Sequence, residues 1–196
     1  MTANSETKPR IDQILQIAEH LFRERGYLAT SVRDIGQAVG IRGASLYHHI
    51  GGKEDLLWMS ASRAADQFFA ALRPIVAEDT AAPLKLRRAI CAHVAVIAHN
   101  LDAAAVYFNE WRHLSEARRA EFTQRRDDYE NCIREILWRG IRDGHFAAMD
   151  EKFAARVVLS ALNWTHQWYR PDGALTPDEI GQTLADMLLK GLERMV

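Results

Sequence analysis

Helical spacing of apolar residues runs through nearly the whole 196-residue chain and constrains its fold more than any other feature. Near the N-terminus, Ile11, Ile14, Leu15, Ala18 and Leu21 recur at the three- and four-residue intervals of one helix face. The same spacing returns in later segments, whereas no segment alternates apolar and polar residues well enough to predict a β-strand. The sequence therefore predicts an all-α fold.

Glycines, prolines and capping residues divide this pattern into about nine predicted helices. The first helix ends at Gly26, and Ser31 with Asp34 resembles a capping box for a short helix over 32–39 that stops at Gly40. Further helices are predicted over about 43–49, 53–76, 83–100, 103–113, 116–143, 152–169 and 177–195. Ser115 is the predicted N-cap of the longest helix, and Gly144 closes it.

The break at Gly40 separates two short helices by a turn of three to four residues, which is the pattern of a helix-turn-helix. In that motif the second helix lies in the DNA major groove. In this sequence, small and hydrogen-bonding residues occupy the start of the second helix of the motif. The alternative interpretation is a plain helical hairpin, which would place aliphatic residues at that position. The net charge of −1 does not oppose DNA binding, because the first 53 residues carry a small excess of basic side chains.

The stretch "TSVRDIGQAVGIRGASLYHHIGGKEDLL", residues 30–57, resembles the DNA-binding region of the TetR family of bacterial repressors. This resemblance implies a DNA-binding head over 1–52 and a ligand-binding and dimerisation body over 53–196. Gly51 and Gly52 replace a pair that is commonly polar or charged in the family, which predicts a looser joint between head and body. The implied contacts to a double-stranded operator are Thr30, Ser31, Arg33, Arg42, Gly43, Ala44, Ser45, Tyr47, His48, His49 and Lys53.

Two apolar stripes mark the last two predicted helices. Such stripes either cover the core of a monomer or pack against another chain. The family resemblance implies the second use, a homodimer through a four-helix bundle, and a dimer that reads both halves of a palindrome also gains specificity. The stripes comprise Ala154, Val157, Val158, Ala161, Thr165 and Trp168, and then Ile180, Leu184, Met187, Leu188, Gly191 and Met195.

Aromatic residues alternate with hydrogen-bonding groups in "VYFNEWRHL" and "LNWTHQWYRPDG", which predicts a sensor site for a small-molecule effector. The segments "QWYRPDGALTPDEIG" and "DGHF" look like those of TetR-type regulators that respond to acyl-coenzyme A thioesters. That resemblance implies aromatic contacts to an acyl group and arginine contacts to phosphates, for which Arg112 and Arg170 are preferred over Arg118, Arg119, Arg125 and Arg126. The candidate effector residues are Tyr107, Phe108, Trp111, Arg112, Trp138, Trp164, His166 and Arg170. A drug-responsive repressor of an efflux pump is the alternative.

No catalytic motif, phosphate-binding glycine loop or metal-ligand spacing competes with this interpretation, so no enzyme activity, cofactor or metal is predicted. An all-α enzyme with an unrecognised site is the second class. A metal pair at His48 and His49 is disfavoured, because adjacent helical residues point in different directions.

The sequence contains no apolar run of membrane-spanning length and no signal-peptide pattern, and Cys91 and Cys132 are interpreted as reduced thiols rather than a disulfide. We therefore expect a cytoplasmic protein.

Overall fold

The described part of the chain is built from helices, as the apolar spacing predicts. The structure, a computed structural model, describes residues 4–41, 46–47 and 50–192. The predicted DNA contacts Arg42, Gly43, Ala44, Ser45, His48 and His49, and the stripe residue Met195, lie outside these residues. The helices are α1 (Asn4–Arg25), α2 (Val32–Val39), α3 (Lys53–Ala77), α4 (Ala82–His99), α5 (Leu101–Asn109), α6 (Glu116–Arg142), α7 (Glu151–Asn163), α8 (Thr165–Trp168) and α9 (Pro177–Leu192), with a 3₁₀ turn at Trp111–His113.

The chain divides into two compact units whose boundaries differ from the head and body named above. The first unit joins residues 1–65 with 102–123, and the second joins 66–101 with 124–196. The first thirteen residues of α3 therefore belong to the first unit and the rest to the second. The segment 102–123 consequently shares a unit with the DNA-binding region, although more than forty residues separate them along the chain.

Local chemistry explains the start of the first unit. Ser31 Oγ accepts a hydrogen bond from Asp34 N at 3.1 Å, and the Asp34 carboxylate accepts one from Ser31 N at 2.8 Å. This is the predicted capping box of α2. Gly40 ends α2 with a φ of 77°, and Gly26 follows α1 with a φ of 84°, both in the left-handed region that favours glycine. The predicted stops at both glycines are confirmed.

Close helix packing and one buried lysine characterise the second unit. α4 packs against α9, and a Cβ placed on Gly181 would lie 3.0 Å from Cys91 Cα. Lys85 is buried on α4 and donates from Nζ to the carbonyl oxygen of Val76 at 2.9 Å, which satisfies an orphan carbonyl in the last turn of α3. Cys91 and Cys132 are both free thiols, as expected from the sequence.

Two predicted helices are interrupted in the structure. The helix expected over 152–169 breaks at Trp164. There the carbonyl oxygen of Trp164 accepts from Gln167 N, which is the i to i+3 hydrogen bond of a tight turn. The helix expected over 103–113 ends at Asn109 and continues as the 3₁₀ turn. Apolar spacing does not detect these breaks, because a tight turn preserves the three-residue interval.

No single helix in the described ranges is both long and apolar enough to cross a membrane, although the successive helices Ala82–His99 and Leu101–Asn109 meet that criterion jointly across a sharp bend. Within the same ranges, no group of three or more His, Cys, Asp or Glu side chains is arranged to hold a metal ion.

Candidate DNA-binding head and effector site

Three of the predicted DNA-contacting side chains are exposed in the structure. Ser31 caps α2, Arg33 lies in its first turn, and Tyr47 follows the turn with 57% of its surface exposed. Leu46, next to Tyr47, is fully buried and anchors this part of the head in the core. Exposed hydroxyl and guanidinium groups at a helix N-terminus are suited to phosphate oxygens.

Thr30 is a different case, and the prediction that its side chain contacts DNA is wrong. Only 1% of its surface is exposed, and its Oγ1 donates to the carbonyl oxygens of Gly26 at 2.9 Å and Leu21 at 3.3 Å. Thr30 therefore holds the loop that follows α1. The family resemblance aligned the right position but did not reveal that the side chain turns inward.

The ammonium group of Lys53 contacts other groups of the same chain. Its Nζ donates to the carbonyl oxygens of Tyr27 at 2.8 Å and Thr30 at 2.9 Å, and lies 4.1 Å from the centre of the Tyr27 ring. Partial burial lowers the pKa of the ammonium from its ordinary value. These internal contacts tie the start of α3 to the loop before α2, and the phosphate contact of Lys53 stays a prediction.

The next two residues of α3 contact the start of α6, which the sequence analysis missed. Glu54 Oε1 accepts from Ser115 N at 2.9 Å, and Arg118 donates to Asp55 Oδ1 at 2.5 Å. A Cβ on Gly51 would lie 2.5 Å from Asp55 Oδ2. Gly51 thus leaves room for a carboxylate that is held by an arginine, and the looser joint at Gly51 and Gly52 stays a prediction.

The effector residues predicted in the first unit form an aromatic cluster. The buried Tyr107 ring lies edge-on to Phe108 at 4.9 Å and to Phe122 at 5.0 Å, and Trp111 lies 5.8 Å from Phe122. Arg112 is exposed beside this cluster. Trp111 and Arg112 belong to the 3₁₀ turn, so the cluster spans the end of α5, that turn and the start of α6.

The effector residues predicted in the second unit do not form the walls of an enclosed site within a single chain. Trp138 and Trp164 are 50% and 64% exposed, and Arg142 lies 4.9 Å from the Trp138 ring. His166 is buried, with Nδ1 2.5 Å from the carbonyl oxygen of Asn163, and Arg170 is exposed. The contact of both tryptophans with an acyl group stays a prediction, and in the isolated chain their indole rings are largely exposed.

A buried polar pair in the second unit escaped the sequence analysis. His93 Nδ1 lies 3.0 Å from Tyr129 Oη, and the Phe68 ring centre is 4.6 Å from the imidazole. Burial lowers the pKa of His93 to about 3, so the imidazole is neutral at physiological pH. His93 occupies a core position of α4 between Ile90 and Ile97, and that polar residue on an apolar stripe was the available signal.

Two surface grooves of the second unit have no predicted effector residue in their lining. One of about 390 Å³ is lined by Pro83, Leu84, Arg87, His145, Phe146, Asp186, Leu189 and Lys190. The other, of about 140 Å³, is lined by Asp79, Thr80, Ala81, Ala82, Lys85, Ile136, Arg139, Arg142 and Asp143. Two of their arginines already have acidic partners, Asp186 for Arg87 and Asp143 for Arg142, and neither groove is lined by a predicted effector residue.

Comparison with known families agrees with the arrangement of the head. Residues 14–57 match the model for bacterial regulatory proteins of the tetR family, and residues 80–192 match that of the tetracyclin repressor-like C-terminal domain. The chain belongs to the TetR family. TetR-family members are transcriptional regulators and not enzymes, and this one is a ligand-responsive transcriptional repressor.

Individual relatives span nearly the whole chain. The HTH-type transcriptional repressor KstR2 of Mycobacterium tuberculosis is 31% identical over 96% of both chains. The crystal structure of the TetR-family regulator PfmR from Thermus thermophilus is 38% identical, with a TM-score of 0.86 over 93% of this chain and 100% of that one. The structure of AibR in complex with isovaleryl coenzyme A and operator DNA is 26% identical, with a TM-score of 0.82 over 94% and 98%.

The internal role of Lys53 predicts a loss of stability when its charge is removed. Replacing Lys53 with Met keeps most of the apolar stem but removes two hydrogen bonds and the cation–π contact, and should lower the free energy of unfolding by about 1 to 2 kcal/mol. Urea unfolding followed by circular dichroism measures this. Arg33→Met is the control, since its exposed side chain should change stability little, and equal stability of both variants would contradict the internal role.

Proposed function

We propose that this TetR-family repressor binds a palindromic operator as a homodimer and is released from it by an acyl-coenzyme A thioester. The observation that carries the effector class is the similarity over nearly the full chain to AibR, whose structure contains both isovaleryl coenzyme A and operator DNA. The operator contacts would come from Ser31, Arg33 and Tyr47 and from the recognition-helix residues of the family pattern.

The arginines of the chain support a ligand with several negative charges. In the described ranges, Arg112 and Arg170 are exposed and make no ion pair. By contrast, Arg118 is paired with Asp55 and Arg125 with Asp66. Guanidinium groups without acidic partners are suited to phosphate oxygens. We therefore propose Arg112 in the first unit and Arg170 in the second as separate candidates for contacts to phosphates, rather than Arg118 or Arg125.

The aromatic cluster of the first unit supports an apolar end for the same ligand. Trp111 is half-buried next to Arg112 in the 3₁₀ turn, and its ring and that of the buried Tyr107 both pack against Phe122.

An exposed apolar face supports the dimer. Phe153 and Val157 on α7 and Met187 on α9 are exposed by 47–67%, and α7 and α9 contact each other. Isolated apolar side chains are normal on a protein surface, but a set on two adjacent helices marks an interaction surface. We assign this face to the same helices of a second copy. Of the predicted stripe residues, Val157 and Met187 lie on it, whereas Ala154, Val158, Thr165 and Ile180 are buried within the chain.

The dimer proposal predicts that a charge on this face separates the two copies. Met187→Glu and Val157→Glu should each convert the dimer to a folded monomer in light scattering at micromolar concentration, because dimerisation would bury an unpaired carboxylate. Leu28→Glu makes the same change at an exposed apolar position in the loop after α1 and should leave the dimer intact. A wild-type protein that is monomeric under these conditions would contradict the proposal.

The effector class is tested by titrating a complex with DNA. A duplex is first selected by the wild-type protein from a random pool, and the complex is then titrated with isovaleryl-coenzyme A, longer acyl-coenzyme A thioesters, the matching free acids and cationic dyes. We expect release by thioesters only, and weaker release from Arg112→Ala and Arg170→Ala. Release by dyes or free acids but by no thioester would overturn the effector class and leave the repressor function in place.

A further inference from the structure

The N-termini of two long helices converge in the first unit. Glu54 and Asp55 lie in the first turn of α3, and Arg118 lies in the first turn of α6. Glu54 accepts from the backbone N–H of Ser115, directly before α6, and Arg118 bonds to Asp55 and lies 3.4 Å from Glu54. These four residues, Glu54, Asp55, Ser115 and Arg118, are called the clamp below.

The charges explain why the clamp holds together. Each helix N-terminus carries a partial positive charge, so two that converge repel each other unless negative charge lies between them. Glu54 and Asp55 provide that charge, and the hydrogen bond from Ser115 N, with help from Arg118, lowers the pKa of Glu54 below its ordinary value. Bonding to Asp55 likewise raises the pKa of Arg118, so Glu54 and Arg118 both remain ionised at neutral pH.

Gly51 makes room for this arrangement. A methyl group at position 51 would lie 2.5 Å from Asp55 Oδ2, which is closer than real contacts allow, so the carboxylate whose other oxygen accepts from Arg118 would have to shift. A methyl group at the next residue, Gly52, would meet no atom within 4 Å. Neither glycine has a positive φ, so the two positions differ in the space around them rather than in backbone strain.

We propose that the clamp positions the DNA-binding head, with Gly51 and Arg118 as its determining residues, and that it links operator binding to the segment 102–123. Lys53 holds the loop in front of α2, and the next two residues, Glu54 and Asp55, hold the start of α6. Three consecutive side chains thereby fix the head between its own loop and that segment. The proposal rests on operator binding by the head, but not on the effector class.

A contact that only stabilises the fold would behave differently from one that positions the head. Because coupling between two sites is reciprocal, ordering of the head on DNA must also change the clamp. The amide of Ser115 reports this change directly, since its hydrogen bond to Glu54 is part of the clamp. Hydrogen exchange of this amide therefore separates the two roles without any effector.

The experiment compares full-length Gly51→Ala and Arg118→Ala with the matched controls Gly52→Ala and Arg119→Ala. Arg119 follows Arg118 on α6 but is exposed and makes no ion pair in the described ranges. The probe is the duplex selected by the wild-type protein. In the wild-type protein and both controls, binding of the duplex should slow hydrogen exchange of the amides in residues 110–118. In the two test variants this slowing should be lost, and the Kd for the operator should rise about fivefold.

Three outcomes would overturn the proposal. The first is wild-type exchange in residues 110–118 that does not respond to the duplex, and the second is a response that persists in both test variants. The third is a thermal melt of Gly51→Ala and Arg118→Ala lowered so far that the free proteins are partly unfolded, which would assign the contacts to folding alone.

Arg118→Lys distinguishes charge from geometry and should restore part of the response, because lysine keeps the charge but not the two-pronged contact. A failure of thioesters to release the operator would leave all of these results unaffected.

Discussion

The first three residues of α3 impose the constraint on which the rest of the first unit depends. Lys53 reaches back to the carbonyls of Tyr27 and Thr30, while Glu54 and Asp55 reach forward to Ser115 and Arg118. A helix N-terminus favours acids and disfavours a lysine. Lys53 is tolerated there because two carbonyl oxygens and the Tyr27 ring surround its ammonium, and the two acids that follow it offset the dipoles of two helices.

These contacts provide a physical route by which a small molecule can regulate DNA binding. The segment 102–123 carries the aromatic cluster of Tyr107 and Trp111, and within a few residues it also carries the groups that touch the head. A second tie lies at the start of α5, where Asp102 accepts from Arg23 at 2.8 Å. A third is formed by the stacking of Tyr27 on His113 at 5.4 Å. An effector that moved this segment would therefore act on side chains already bonded to the DNA-binding region.

The sequence predicts the helices and the motif well, because their signals are local. Ser31 and Asp34 are three residues apart, and Gly40 adopts the left-handed conformation that a helix end requires, so both could be recognised from neighbours alone. The roles of Thr30 and Lys53 could not, since a family pattern gives a position in the motif but not the direction of a side chain. The bond between Arg118 and Asp55 joins residues 63 positions apart, and no spacing rule connects them. The resemblance implies Trp138 and Trp164 as contacts to an acyl group, and only the fold reveals how exposed their rings are.

The central claim is that residues 102–123, which include the start of α6, unfold together with the DNA-binding head. The rest of α6 unfolds separately from them. Native-state hydrogen exchange of the unliganded protein at low denaturant, resolved by residue, measures this directly, because amides that open together share one free energy of opening. The account predicts that amides of α2, of the first turns of α3 and of residues 115–122 open together, at a free energy distinct from that of residues 126–140 in the same helix. A single opening free energy along all of α6, different from that of α2 and the start of α3, would contradict it.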